Sequence, residues 1–331
     1  MKRTTTLVAL LLGIAILAGM LAACSSDEVT TATETTATTT LTTTTTTTTT
    51  ETAAWPKTVT DQLGRTVTID AIPQTIVSLA PSNTEILFAL GLGDRMEGRT
   101  DYCNYPAEAG SVPSIGGFST PNIEEIVALE PDLIVATTMH ETEIIPQLED
   151  FGFTVVGLDP TNLEETIDAI TLVGDVTGTE DTAAGLTTDM QARIEAITAR
   201  TANLATDDIR RVLYIVWHDP FMAAGAGTFH DVLIKASGGT NIAGDAEGYP
   251  TLDMETVIGA DPEIMIAGVG MGDGEDLPLQ YLMDEERLSN TTARQNGAVY
   301  PIDMDIVGRA GPRIVEALEQ FAAYIHPELF E

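Results

Sequence analysis

NIEEIVALEPDLIVA, residues 122–136, returns 131 positions later as DMETVIGADPEIMIA, residues 253–267. Aligned without a gap, Glu124 falls on Glu255, Pro131 on Pro262 and Ala136 on Ala267. Each copy opens with a side chain suited to cap a helix, Asn122 or Asp253, whose oxygen can accept from the unpaired N–H groups of a first turn. Apolar residues then recur on one helical face, at 123, 126 and 127 in the first copy. An acidic residue and a proline follow, and proline cannot continue a helix because it has no N–H to donate. The apolar runs LIVA and IMIA after each proline read as buried strands. A helix–strand unit written twice implies two similar halves.

The same rhythm extends outward. TIVSLAP (75–81) reads as a buried strand, and Ser82 or Asn83 is placed to cap the helix TEILFALG, which ends at Gly91 or Gly93. Helix 142–151, the strand TVVGLD and a helix from about Leu163 follow. Residues 180–205 contain no strand pattern and no proline, so they read as one long helix despite Gly185. Alternation resumes with the strand RRVLYIVW, helix 228–237, the second copy, the strand AVYPID and a final helix from about Gly311. Alternating strands and helices imply an α/β fold with mainly parallel sheets. The expected organisation is an N-terminal α/β lobe at 55–179, a rigid helix at 180–205 and a C-terminal α/β lobe at 206–331.

The ends and the composition set the address. Lys2 and Arg3 precede an uncharged apolar run, Leu7 to Ala23, which closes in LAAC. A basic start, an apolar core and small residues before a cleavage point describe a secretory signal at 1–23. The cysteine in that position resembles the lipobox of bacterial-type lipoproteins, which makes Cys24 the lipidated residue. Residues 24–54 are mostly threonine, nine in a row from Thr42 to Thr50, and have too little to bury to repay ordering. They read as a disordered tether that holds the chain to the outer face of the cell membrane. Beyond Cys24 the one cysteine is Cys103, so no intrachain disulfide can form. The net charge of −35 would repel phosphates, which argues against nucleic acid as a partner.

Signatures of catalysis are missing. The sequence has no GxSxG elbow, HExxH, CxxC or GxxxxGK[ST] motif, and its four histidines show no metal-ligand spacing. No enzyme, metal site or resident cofactor is expected. Aromatic residues among Gly, Pro, Asn and Asp at strand ends stand out instead: Tyr102, Phe118, Phe221 and Tyr249. Each could anchor its own loop, but four of them divided between two halves suggest a lined cleft. Asp305 and Arg309 fall in a loop before the last helix, as an ion pair or as cleft residues.

SLAPSNTE, the DYCNYP turn and NIEEIVALEPDLI resemble the substrate-binding proteins of ABC importers, in the class that carries cobalamin and iron-siderophores. The resemblance spans roughly Thr75 to His326. It implies two α/β lobes bridged by a stiff helix, with the ligand held between them. It also implies that Glu124 and Glu255 dock onto a permease dimer served by ATPase subunits. Tyr102, Phe118, Phe221, Tyr249, Asp305 and Arg309 fall on positions that line the cleft in cobalamin-binding relatives, where tryptophan often stands at the places of Phe118 and Tyr249. Cobalamin or a related corrinoid, as cargo, is the leading expectation. Haem is the alternative that Tyr102, Tyr249 or His140 could ligate, and a ferric siderophore would favour several arginines where only Arg309 is evident. A structural or adhesive surface lipoprotein is the reading without transport.

Overall fold

The computed structural model describes residues 55–270 and 276–330; the leader, Cys24 and the tether lie outside the described residues. A hairpin of β1 (Lys57–Thr60) and β2 (Thr66–Ile69) comes first. The first α/β run is β3 (Ile76–Ser78), α1 (Pro81–Ala89), β4 (Met96–Arg99), α2 (Ile123–Leu129), β5 (Leu133–Thr137), α3 (Ile144–Asp150), β6 (Val155–Leu158) and α4 (Leu163–Thr177). The long helix α5 (Glu180–Thr201) follows. The second run is β7 (Arg210–His218), β8 (Phe221–Ala223), α6 (Phe229–Ala236), β9 (Gly239–Asn241), α7 (Met254–Ala260), β10 (Ile264–Val269), α8 (Leu277–Asp284), α9 (Thr292–Asn296), β11 (Val299–Asp303), α10 (Met304–Val307), α11 (Ile314–Ile325) and α12 (Pro327–Phe330).

Strands before α5 form a parallel sheet in the order β4-β3-β5-β6. Strands after it form a second sheet, β11-β10-β7, with parallel β9 and antiparallel β8 sharing the far edge of β7. Set β8 aside and the two orders match, with β3 equivalent to β7 and β5 to β10. The repeated sequence holds the equivalent place in both. Asn122 accepts from the N–H groups of Glu124 and Glu125, and Asp253 from that of Thr256. Both helices end in the left-handed conformation that non-glycine residues seldom adopt, at Glu130 and Asp261, each with φ 46°. The acid before each proline is therefore the helix cap itself.

Period-two alternation sorts each sheet into two faces. Val135 and Val156 face Ile86, Leu87, Ile170 and Val173 of α1 and α4, while Ile134 and Val155 face Ile126, Ile145 and Leu148 of α2 and α3. In the second sheet Val212, Tyr214 and Ile266 meet Leu233, Leu318 and Phe321 of α6 and α11; Leu213, Met265 and Ala267 meet Val257 and Leu282 of α7 and α8. Helix α5 offers Ala183, Met190 and Ile197, apolar residues two turns apart, to the same core that serves both sheets. Gly174 lets α4 lie close to it, because a Cβ there would collide with that of Ala183. The core is thus continuous through the helix, and all the described residues fall in one compact unit.

Two boundaries differ from expectation. Neither Ser82 nor Asn83 caps α1: Ala80 holds that position and Pro81 opens the first turn, where its fixed φ suits a helix start. Asn83 is buried and donates to the carbonyls of Val135 and Ala136, at 3.1 and 3.0 Å, which ties α1 to the end of β5. Helix α5 stops at Thr201 rather than at 205, and Leu204 leaves it to pack on the turn at Gly238.

Candidate functional site

In open α/β sheets the chain leaves each strand at its carboxyl end, and ligands gather there. Four such ends meet in this protein. Those of β3, β4, β5 and β11 supply Ala80–Ser82, Tyr102, Met139 and the four residues Met304, Asp305, Gly308 and Arg309 to one open cavity of about 540 Å³, completed by Phe118 and Ser119. Its size is that of a small-molecule site. Of the six expected ligand residues, Tyr102, Phe118, Asp305 and Arg309 line it together.

Phe221 does not. It is 8% exposed, sits in the core below the second sheet and packs on Tyr281 with ring centroids 5.7 Å apart, so its role is that of a loop anchor. Tyr249 is half exposed and is not among the residues that line this cavity. Its ring meets His230 edge-on, His230 lies 4.1 Å from Tyr214, and the Tyr214 hydroxyl donates to Met304 Sδ at 3.4 Å. Gly268 gives Met304 its place, since a Cβ there would collide with Sδ. Sequence reasoning missed Met139 and Met304 as lining residues because methionine is usual in any core. It also passed over Trp217, 39% exposed at the carboxyl end of β7 and packed on His218.

Electrostatics restrict what the cavity can take. Arg309 donates to Glu85 Oε1 at 3.0 Å, Asn104 Oδ1 at 2.7 Å, the Tyr102 carbonyl at 3.3 Å and Asp305 Oδ1 at 2.6 Å. Asp305 also accepts from Asn104 Nδ2 at 2.8 Å. Asp305 stands in the short helix α10 rather than in the expected loop, it forms an ion pair with Arg309, and both residues line the cavity. Beneath them Arg313 grips Glu85 through two bonds of 2.8 and 2.6 Å and lies 3.9 Å from the Tyr105 ring centroid. Glu85, 3% exposed on α1, thus holds two arginines of the second half. Buried charges persist only when paired in this way. A second hollow, about 350 Å³ between α1, α5 and α11, is lined by this network rather than by strand ends.

His140 is fully buried, and burial pushes its pKa down. Nε2 lies 2.8 Å from the Phe118 carbonyl and Nδ1 lies 3.1 Å from the Thr137 amide. Both nitrogens are engaged, so His140 is not available as an axial ligand to haem, whereas Tyr102 lines the cavity. Cys103 is buried beside the hydroxyls of Thr84 and Thr100, at 3.1 and 3.2 Å, as a small core thiol. Among the described residues no group of His, Cys, Asp and Glu is arranged to hold a metal ion. Glu124 and Glu255 stand exposed in the first turns of α2 and α7, where the helix dipole favours a carboxylate. Among the described residues neither has an ion-pair partner.

Two matching parallel sheets, one spanning helix and a cavity at the strand ends define a solute-binding protein of the α/β type. The profile of the periplasmic binding protein family matches residues 76–306, and the chain belongs to that family. It is 31% identical over 289 residues to an uncharacterized ABC transporter substrate-binding lipoprotein, YvrC, of Bacillus subtilis, covering 85% of this chain and 89% of the relative. It is 29% identical over 279 residues to a cobalamin-binding protein of Halobacterium salinarum, covering 82% and 75%. The solved periplasmic heme-binding protein RhuT of Roseiflexus sp. RS-1 superposes with a TM-score of 0.67 at 26% identity, covering 77% of this chain and 98% of that one.

Proposed function

We propose that this chain is the extracytoplasmic substrate-binding component of an ABC importer, lipid-anchored through Cys24, that captures cobalamin or a related corrinoid and passes it to a permease dimer. The observation that carries the ligand is the pairing of an aromatic and thioether wall with an arginine whose two terminal nitrogens are both engaged by the protein. Tyr102, Phe118, Met139 and Met304 offer broad apolar faces, while Arg309 already bonds four protein oxygens through four of its five N–H donors. An anionic guest such as haem or many ferric siderophores would compete with Glu85 and Asp305 for that cation, with one N–H of Arg309 left to meet it. A corrin disc is largely apolar, with amide groups at its edge, and asks for the faces and hydroxyls that are present.

The function involves no bond chemistry, only capture and release. Glu124 and Glu255 stand at equivalent places in the two halves, and they present the charges that meet the permease. The continuous core along α5 favours docking with little closure of the halves. The test is removal of the wall. Tyr102→Ala with Phe118→Ala strips two ring faces, each worth about 1–2 kcal/mol when buried by a ligand, so cyanocobalamin affinity falls by roughly 30- to 1000-fold. Unchanged affinity in that variant would refute the assignment of the cavity.

A further inference from the structure

Phe118 sits in the turn GGFSTP, residues 116–121. The turn is closed at its base by the Gly116–Pro121 bridge and by the Asn122 N–H bond to the Ile115 carbonyl at 2.7 Å. Gly116 adopts φ +94°, which only glycine takes readily, and the next residues project over the cavity. Nothing at the base determines where the Phe118 ring stands. Among the described residues, the one hydrogen bond that reaches residues 117–119 from outside the turn is made by His140 to the Phe118 carbonyl, at 2.8 Å. The same imidazole meets the Phe118 ring edge-on, at 88° and 5.4 Å between centroids.

The protonation of His140 follows from its neighbours. Thr137 presents a backbone N–H to Nδ1 at 3.1 Å, and an amide can only donate, so Nδ1 carries the lone pair. The Phe118 carbonyl can only accept, so Nε2 carries the proton. One neutral tautomer satisfies both ends and ties the turn to the carboxyl end of β5.

We propose that His140 is a positioning residue for ligand binding: through its Nε2–H bond and ring contact it fixes Phe118 as a wall of the cleft, and so sets affinity for a broad apolar ligand. The affinity part rests on the reading of this cavity as the ligand site; the holding of the turn does not. The experiment therefore separates them. In the ligand-free protein, imidazole nitrogen NMR reports a neutral Nε2–H tautomer for His140. NMR relaxation dispersion over residues 116–120, which reads exchange between closed and open turn, finds the open form about 3- to 10-fold more populated in His140→Leu, the effect of losing one net hydrogen bond. His140→Gln, which keeps a donor, recovers part of that closure and serves if the leucine variant does not fold.

With cyanocobalamin as the probe, His140→Leu weakens binding by about 3- to 10-fold, and adds nothing in a Phe118→Ala background. Unchanged exchange, or the opposite tautomer, overturns the proposal. So does a binding loss of equal size with and without the Phe118 ring, which would mean His140 acts elsewhere. If no variant and no wild type binds cyanocobalamin, the ligand assignment fails, and exchange and tautomer still decide what His140 holds.

Discussion

His230 offers a prediction whose size the structure sets. It lies in the first turn of α6, 6% exposed, against the Tyr214 ring, and among the described residues neither ring nitrogen has a hydrogen-bond partner. Burial lowers its pKa from 6.5 to about 4, because an apolar setting disfavours the charged ring. In the unfolded chain the same ring takes a proton near pH 6.5. Between these values the unfolded state binds more protons than the folded one, so stability falls as the solution is acidified. Above pH 6.5 both states are neutral and the group contributes no pH dependence. At about 1.4 kcal/mol for each tenfold change in acidity, roughly 2 kcal/mol is lost by pH 5 and about 3 kcal/mol by pH 4. His230→Phe keeps an aromatic ring on Tyr214 and leaves nothing to protonate. Denaturant midpoints for both proteins at pH 7, 6, 5 and 4.5 isolate the effect, since the many carboxylates and His140 titrate alike in each. The variant should gain on the wild type by about 2 kcal/mol between pH 7 and pH 5. Parallel profiles would refute the reasoning, and would mean that His230 finds a partner or reaches water.

Two further outcomes follow from the same geometry. Glu85→Ala leaves Arg309 and Arg313 facing a buried void, and should cost about 3–5 kcal/mol in denaturant unfolding, against about 1 kcal/mol or less for Glu319→Ala, which breaks an exposed pair with Arg193. Equal losses would show that the buried network is not what joins the two sheets. Glu124→Lys with Glu255→Lys should abolish uptake of labelled cobalamin in cells while leaving ligand affinity and thermal midpoint unchanged; undiminished uptake would place docking elsewhere.

The sequence disclosed the elements whose signal is local. The repeat around Glu124 and Glu255, the caps at Asn122 and Asp253, and α5 needed only periodicity and turn chemistry. Tyr102, Phe118, Asp305 and Arg309 were legible because glycine, proline and aspartate mark the strand ends that carry them. Phe221 carried the same local marks and turned inward, since the hairpin of β7 and β8 folds it onto Tyr281, a choice made sixty residues away. The bonds from Arg309 and Arg313 to Glu85 span 224 and 228 positions, and no local pattern announces them. The sequence offered His140 as a possible haem ligand for the same reason: its partner Phe118 lies 22 positions back, across a turn, a helix and a strand.

Everything functional converges on what the cavity accepts. The most direct measurement is calorimetric titration of the purified chain with cyanocobalamin, hemin and a ferric siderophore under one set of conditions. The account predicts one-to-one binding of cyanocobalamin, and much weaker binding or none for the two anionic ligands. Tighter binding of hemin or the siderophore would contradict it, and would mean that Arg309 meets a charge despite the oxygens it already bonds.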